Sequence, residues 1–398
     1  EDFQLASFGN RVPQFSFEVV RPTQPEMPDH VSALGQIVKG VALMPGTGEY
    51  ALASTQVNYS QGRGRSWAAN VNSASGEPDL ITSTKALARE LPGCEAASLI
   101  VSWFGNDLRC GECQITPKVV RDDIDGVNMP WVVSGLRRHT AEVVQHQDDR
   151  PVYGGPPADG AVVQAIQHLK DSGKDVMFYP FILMDQLQQN GLPDPWSDGE
   201  QPHLPWRGRI TLDVAPGRDG SPDQTADADA QVAAFFGSAR VSDFGTSAGQ
   251  VTYSGPQEWG LRRFILHYAT LCQMAGGVSS FCISSEMRGL TQIRGENGFP
   301  AVEQLRQRAT DVRQILGPDT KIGYAADWSE YFGYQPSGTG DRFFHLDPLW
   351  ADDNIDFVGI DNYMPLSDWR DGEDHQDADA GSIYNLDYLR ANVEGGEG

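Results

Sequence analysis

The sequence predicts an α/β fold with a parallel sheet, because apolar runs alternate with stretches of helical periodicity from about residue 84 onward. Continuous apolar runs at 97–104 and 176–184 are typical of parallel strands covered on both faces. No glycine-rich nucleotide-binding loop follows the first run. Polar and aromatic residues cluster just after the predicted strands, where (β/α)8 barrels carry their chemistry. We therefore predict a (β/α)8 TIM-barrel-like domain.

The remaining elements follow in the order strand, loop and helix. Further strands are expected at 131–133, 278–283, 321–326 and 355–360, and helices at 159–173, 254–275, 302–316 and 382–395. Ser254 and Gln257 have the spacing of a capping box, and Gly317 followed by Pro318 is a helix stop. Eight strands are needed to close such a barrel, so the count predicts truncation after about six.

Three regions are predicted along the chain. Residues 1–25 alternate apolar and polar side chains around Phe15 and Phe17, which is typical of a strand. Residues 26–83 are predicted to be a linker and a short-stranded connection. Residues 84–398 form the incomplete barrel, with a polar insertion at about 185–253. Because the chain starts without Met or a signal segment and stops after a helical pattern, we expect a piece of a longer polypeptide.

Composition excludes several classes of protein. The 398 residues carry a formal charge of −24, which disfavours nucleic acid and anionic membranes as partners. Hydrophobic residues make up 39% of the chain, enough for a sizeable core. No apolar run reaches the roughly 18–20 residues of a membrane span.

The cysteines give no evidence for a cofactor. Five are present, an odd number that does not suit a disulfide framework. Cys110 and Cys113 form a lone pair without the second pair or histidines that a zinc site needs, so a turn is expected there, with or without a bridge. The acidic insertion lacks the spacing of an EF-hand loop. We therefore expect neither a metal nor another cofactor.

Glu286 is the candidate catalytic residue. It follows the apolar run that ends at 283, and a carboxylate at the mouth of a barrel can act as general acid or base. Partial burial would suit it to that role. The alternative is a structural ion pair with Arg288 or with a residue of a neighbouring strand.

Other residues after the predicted strands are candidates for substrate binding. Asp327 and Trp328 suit a sugar site, because aromatic faces stack on pyranose rings and carboxylates accept hydroxyl hydrogens. Alternatively, Asp327 is a helix cap and Trp328 packs as a lid. Asp361 and Tyr363 follow the next predicted strand, where Asp361 either binds a hydroxyl or caps the loop.

Two further groups extend the candidate site. Trp103 at the carboxyl end of the first predicted strand and Asn106 just after it form a weaker set. The segment 205–209, with sequence PWRGR, could line the cleft.

Four segments carry a family resemblance. Residues 103–109 (WFGNDLR), 205–209 (PWRGR), 285–290 (SEMRGL) and 360–369 (IDNYMPLSDW) resemble the glycoside-hydrolase-like TIM-barrel domain of gene transfer agent tail proteins. This family is that of the large baseplate or tail-tip protein, sometimes called megatron, of gene transfer agents and related phages. The resemblance covers roughly 84–398, and residues 8–20 resemble the end of a tail-hub module.

The resemblance implies a glycosidase-like barrel in a phage-like tail tip or baseplate. In related retaining glycosidases the acid/base Glu follows the fourth strand, as Glu286 does, and the nucleophile follows the seventh, which the count does not reach. The barrel is expected to bind or cleave envelope polysaccharide or peptidoglycan during DNA delivery; the alternative is a structural or glycan-binding component with an inactive barrel.

The resemblance also implies the partners and the location. The expected partners are other tail and baseplate proteins, with the chain forming a homo-oligomer in a symmetric tail. The expected location is a virion-like particle that acts at the cell surface or in the periplasm.

Overall fold

The computed structural model describes residues 34–45, 48–61, 64–363, 365 and 367–395. The predicted strand around Phe15, together with the predicted tail-hub segment 1–25, lies outside these described residues.

Six parallel strands form the central sheet, and they neighbour one another in the order in which they occur along the chain. They are β1 (Gly40–Leu43), β2 (Ala96–Gly105), β3 (Asp175–Met184), β4 (Ser280–Ser285), β5 (Lys321–Asp327) and β6 (Phe357–Asp361). This sequential order of parallel strands is that of a TIM barrel. The sheet curls into a half-barrel, which confirms the predicted fold class of a truncated (β/α)8-like domain.

Long helices connect the first five strands. They are α1 (Asp79–Glu90), α2 (Asp159–Asp171), α3 (Leu261–Met274) and α4 (Pro300–Leu316). Helix α4 stops at Gly317, whose φ of +81° lies in the region that glycine tolerates best, as the sequence indicates. Helix α3 starts seven residues later than expected, because the preceding chain forms the hairpin strand Gln250–Tyr253 and Ser254 hydrogen-bonds to Asp243.

Shorter elements complete the described chain. The other α-helices are Leu34–Ile37, Ala226–Phe236, Arg288–Thr291, Asp347–Trp350 and Leu386–Gly395. The 3-10 helices are Arg138–Thr140, Arg207–Arg209, Val241–Asp243 and Ala378–Ala380. The remaining strands are Asn58–Gln61, Arg65–Ala68, Ile115–Thr116, Lys118–Val119, Val132–Val133, Leu136–Arg137, Glu142–Val143, His146–Gln147, Arg150–Pro151, Phe244–Ser247 and Gln250–Tyr253.

The count of six strands is as predicted, but the membership of the sheet differs. Strand β1 lies inside 26–83, the region predicted as a connection, and it pairs in parallel with β2. The strand expected at 131–133 forms, but Val132–Val133 pairs with Leu136–Arg137 in a small hairpin. Since one strand is gained and another is excluded, Glu286 still follows the fourth strand of the sheet.

The main core lies between the outer face of the sheet and the helices. Successive side chains of a strand point to opposite faces, so alternate residues of β3 are buried on the helix side. Phe178 of β3 stacks on Phe281 of β4, with ring centroids 5.6 Å apart. The concave face carries a smaller cluster built on Tyr179, Cys282 and Ala325. The carboxyl end of this concave face holds the polar site.

All five cysteines are buried and free. Cys110 and Cys113 are thus not bridged, and burial raises the pKa of the Cys113 thiol to about 12. Burial also raises the pKa of Cys282 to about 12. These thiols fill space in the core as small apolar side chains do.

Within the described ranges, no helix combines the length and the apolar character that a membrane crossing requires.

Candidate functional site

Glu286 stands directly after β4, at the carboxyl end of the sheet. The register between β4 and β5 shifts between Cys282 and Ser285, just before this residue. Its backbone N–H donates to the carbonyl of Ala325 in β5 at 2.8 Å. Its φ is +49°, a left-handed conformation that costs a residue with a side chain about 1–3 kcal/mol. Such strain at a strand end is frequent at functional sites.

The polar insertion supplies the partners of the Glu286 carboxylate. Its Oε2 accepts a 2.9 Å hydrogen bond from the indole Nε1 of Trp206 and lies 2.9 Å from Nη2 of Arg207. Both partners belong to the segment 205–209, which the sequence offered as a candidate lining of the cleft. Because Glu286 and Arg207 are both almost fully buried, each offsets the desolvation of the other.

Arg207 is itself fixed by two strands. Its Nε donates to the carbonyl of Ser285 at 3.0 Å, and its Nη2 donates to the hydroxyl of the same residue at 2.9 Å. The guanidinium lies 3.7 Å from the ring centroid of Phe181 in β3, a cation–π contact. Because these contacts hold the guanidinium in one place, Arg207 can fix the position of the Glu286 carboxylate.

Asp361 reaches the same site from the end of β6. Its Oδ2 accepts a 2.6 Å hydrogen bond from the Tyr179 hydroxyl. Burial raises the pKa of the Asp361 carboxyl, and Glu286 adds to the increase as a nearby charge and hydrogen-bonding neighbour, while Tyr179 and Arg207 oppose it. Burial likewise raises the pKa of Tyr179. Asp361 is therefore suited to hold a proton beside Glu286.

The carboxyl groups of Glu286 and Asp361 are electrostatically coupled, because Glu286 contributes to the raised pKa of Asp361. This coupling fits an orienting or proton-sharing role for Asp361.

The Asp327 side chain makes its hydrogen bonds within the turn that follows β5. It ends β5 and is buried, and its Oδ1 accepts the backbone N–H of Ser329 at 3.0 Å together with the Ser329 hydroxyl. Asp327 thus caps a turn, whereas the alternative that the sequence left open was a helix cap. Trp328, the next residue, is half-buried, so only part of its ring is accessible.

Trp103 is found in the core rather than at the cleft. Strand β2 continues to Gly105, so Trp103 is a strand residue on the helix-facing side. Its ring is fully buried, and its Nε1 donates to the Tyr268 hydroxyl of α3 at 3.0 Å. The ring of Phe264 packs 4.9 Å away. This placement corrects the predicted sugar-stacking role, because the indole has no face on the concave side.

Asn106 and Tyr363 lie at the rim. The Asn106 side chain is exposed and accepts the backbone N–H of Gln114 at 2.8 Å, so it braces its own loop. Tyr363 follows β6 and is 71% exposed, which leaves its ring available for stacking.

A buried network lies behind the Glu286 turn. Glu330 Oε1 accepts from the Thr291 hydroxyl at 2.7 Å, and Tyr324 donates its hydroxyl to the same carboxyl group. The Tyr324 oxygen in turn accepts the backbone N–H of Met287 at 2.8 Å. Burial raises the pKa of Glu330 to about 7. The network therefore anchors the residue that follows Glu286 to β5.

A cavity of about 250 Å³ is lined by Trp206, the residue that hydrogen-bonds to Glu286, and was not anticipated from the sequence. Its walls, which we name the two-tryptophan pocket, include Trp196, Trp206, Arg209, Arg288 and Gln292. The signal in the sequence was two Pro-Trp pairs in an otherwise polar insertion, but nothing local indicates that they converge.

No group of three or more His, Cys, Asp or Glu side chains in the described part of the chain is arranged to hold a metal ion.

The fold and the site define a truncated TIM-barrel-like α/β domain. Residues 259–398 match the family model of the GTA TIM-barrel-like domain, which confirms the resemblance over this part of the chain. The matched part contains Glu286 and Asp361, whereas Trp206 and Arg207 precede it. No curated protein matches the chain.

Solved structures of GH113 mannanases are similar to the chain. A complex of a GH113 β-1,4-mannanase has a TM-score of 0.41 and 12% identity, with 89% of this chain and 67% of the enzyme covered. A second GH113 β-1,4-mannanase structure has a TM-score of 0.38 and 12% identity, with 91% and 69% covered. The GH113 β-mannanase AaManA from Alicyclobacillus acidocaldarius, in complex with ManMIm, has a TM-score of 0.37 and 13% identity, with 90% and 66% covered. The chain thus spans about two thirds of the length of these enzymes.

Proposed function

We propose that the chain is part of the tail tip or baseplate of a gene transfer agent or related phage-like particle, and that its barrel binds and cleaves cell-envelope glycan. The observation that carries the proposal is Glu286, a buried carboxylate at the end of the fourth strand with an indole and a guanidinium on Oε2. The family of residues 259–398 supports the setting.

The proposed chemistry starts with a proton. Glu286 protonates the oxygen of the leaving sugar and, as the resulting carboxylate, takes a proton from the water that then attacks, while Asp361 at the end of β6 holds a proton beside it. Arg207 fixes Glu286 against Ser285. Tyr363 offers an exposed ring for stacking on the sugar.

Hydrolysis with retention also needs a nucleophile. In retaining glycosidases of the kind this barrel resembles, that carboxylate follows the seventh strand. The described sheet contains six parallel strands, and none of its residues is assigned this role. The proposal therefore concerns the barrel within the whole protein.

The same proposal covers partners and location. Other tail and baseplate proteins are the proposed neighbours, with several copies of the chain arranged around a symmetric tail. The particle would act at the cell surface or in the periplasm.

The second candidate is a glycan-binding or structural barrel without turnover. One observation favours it: the Oε2 atom of Glu286 already accepts from Trp206 and pairs with Arg207, as a structural carboxylate would. In that case Glu286 only maintains the shape of the site.

Turnover on purified glycans distinguishes the two candidates. The full-length protein is incubated with peptidoglycan and capsular polysaccharides, and released reducing sugar is compared with that of a Glu286→Gln variant. Glu303→Gln on α4 is the matched control, since its carboxylate is exposed and, among the described residues, pairs only with Arg306. The hydrolase proposal requires activity in the wild type and the control and its loss in Glu286→Gln. Equal background release from all three proteins would leave only the non-catalytic candidate.

A further inference from the structure

The two-tryptophan pocket shares a wall with the proposed catalytic group. Trp206 lines the pocket and donates its indole N–H to Glu286. Gly208 packs tightly against the same indole. A Cβ added at this position would lie only 2.3 Å from the Trp206 ring, so a larger residue would displace the indole. A sugar unit in the pocket would therefore contact the residue that hydrogen-bonds to Glu286.

The pocket offers aromatic surface. Trp196 and Trp206 are 38% and 37% exposed, although large apolar side chains in this chain are mostly buried. The Trp196 indole N–H donates to the carbonyl of Arg209 at 2.7 Å, which fixes the ring. Rigid indole faces are suited to stack on the C–H faces of a pyranose ring.

The pocket is positively charged in a strongly acidic protein. Arg209 and Arg288 line it, and no Asp or Glu is among its lining residues. Arg288 is exposed and has no side-chain hydrogen bond or ion pair to any described residue. The chain as a whole carries a formal charge of −24, so two arginines without a lining carboxylate are a local exception.

Arg209 has hydrogen-bonding capacity left over. Its Nη2 lies 3.4 Å from the nearer carboxylate oxygen of Asp194, a long contact. Its Nε is buried without any hydrogen-bond partner. The Arg209 side chain as a whole is 39% exposed, so a ligand in the pocket would meet its terminal nitrogens rather than Nε.

We infer that the two-tryptophan pocket binds a carboxylate-bearing sugar unit of the glycan on which Glu286 acts. The tryptophans stack on the ring, and Arg209 and Arg288 receive the carboxylate, whose geometry a guanidinium matches. This inference rests on the proposed function, because it assumes that the barrel binds glycan. It adds the chemical class of the bound unit.

The test compares acidic and neutral forms of the same oligosaccharide. Fragments of peptidoglycan and of acidic capsular glycans are prepared in native form and in carboxyl-reduced form. Both are titrated by calorimetry into the full-length protein carrying Glu286→Gln, so that turnover does not interfere. We expect the native form to bind about tenfold more tightly, with a preference that declines as salt is added.

Variants in the same background locate the effect. Arg288→Gln and Arg209→Gln are each expected to bring the preference close to one, whereas Arg89→Gln, an exposed cation on α1 that pairs with Glu90, is expected to preserve it. Trp196→Ala should weaken both forms equally, because stacking does not depend on the carboxylate. Thermal unfolding checks that each variant folds.

Each outcome has a separate meaning. Equal binding of the native and reduced forms overturns the inference and leaves the proposed glycan site intact. A preference that survives both arginine substitutions also overturns it, since the charge is then read elsewhere. Absence of binding by every form rejects the proposed function together with the inference.

Discussion

The hydroxyl of Tyr179 donates a 2.6 Å hydrogen bond to the carboxylate of Asp361, a residue 182 positions later in the chain. Tyr179 belongs to β3 and Asp361 to β6, and two strands separate them in the sheet. This hydrogen bond between strands that are not neighbours is possible because the sheet is curled, so that side chains on its concave face approach one another. This contact therefore joins the two ends of the proposed site.

Replacing Tyr179 by Phe tests this contact. The variant removes the hydrogen bond that lowers the pKa of Asp361, so the carboxyl loses a stabilising partner while it stays partly buried. We expect a loss of about 1–2 kcal/mol in the free energy of unfolding at pH 7, measured with urea. Tyr331→Phe is the control, because the Tyr331 ring is half exposed. Equal stability of both variants would contradict a structural role for the contact.

Arg207 is expected to stabilise the folded protein by compensating the buried charge of Glu286. Arg207→Met leaves the Glu286 carboxylate buried without its cation, which costs about 3–5 kcal/mol for a buried pair. The double variant Arg207→Met, Glu286→Gln should recover part of this loss, since the uncompensated charge is gone. A double-mutant cycle in urea measures the coupling. Additive effects would show that the two side chains do not stabilise one another.

The raised pKa of the buried Glu330 carboxyl predicts how the stability of the protein depends on pH. Its pKa is raised from 4.5 to about 7 by burial, so the folded state holds the proton more tightly than the unfolded state. Its contribution is fully present below pH 4.5 and is lost as pH rises through about 7. Glu330→Gln removes this titration, although it also loses one hydrogen bond.

Urea unfolding between pH 4 and pH 8 checks this dependence. Relative to the wild type, Glu330→Gln should gain roughly 2–3 kcal/mol across that range. The exposed Glu303→Gln should follow the wild type. Parallel curves for the wild type and Glu330→Gln would contradict a raised pKa.

Substitutions at Trp103 and Tyr363 are expected to affect different properties, the first the stability of the fold and the second the binding of glycan. Trp103→Ala removes a fully buried ring and is expected to cost about 3–5 kcal/mol. Tyr363→Ala removes an exposed ring, so stability should change by no more than about 0.5 kcal/mol while glycan binding weakens. Denaturation and calorimetry on the two variants provide both values. Weaker binding by a folded Trp103 variant alone would restore the stacking role first predicted for it.

The cysteines predict a simple chemical readout. All five are buried and free, so a thiol reagent at pH 8 should label almost none of them in the native protein. In denaturant it should label all five. Fewer thiols in denaturant would mean that a disulfide is present after all.

The sequence was sufficient for elements with strong local patterns. Strands β2 and β3 are long apolar runs, and α4 carries helical periodicity and a glycine stop, so all three lie close to their predicted positions. Strand β1 was missed because Gly40–Leu43 has only four residues and a partly exposed face. Its place in the sheet comes from pairing with β2, which no local pattern encodes.

The site was predictable only in part, because some of its contacts join segments that are far apart in the sequence. Glu286 and Asp361 follow strands, and parallel strands bring their carboxyl ends together, so their proximity follows from the fold. Trp206 and Arg207 come from an irregular insertion about 80 residues before Glu286, and only the folded chain brings them to it. Trp103 was misplaced because it stands near the carboxyl end of the strand, whereas the alternation of side chains directs its ring to the helix side and not to the concave face.

Strand β6 has a consequence for handling the protein in solution. Its outer face presents Val358 and Ile360, which are 56% and 40% exposed, and among the described strands it pairs only with β5. A bare apolar edge is a template on which another chain can add a strand. We expect the charge of −24 to keep the isolated chain dispersed at low salt and self-association to appear as salt screens that charge. Ionic strength would then decide whether purified material stays monodisperse, and light scattering across a salt series would follow it.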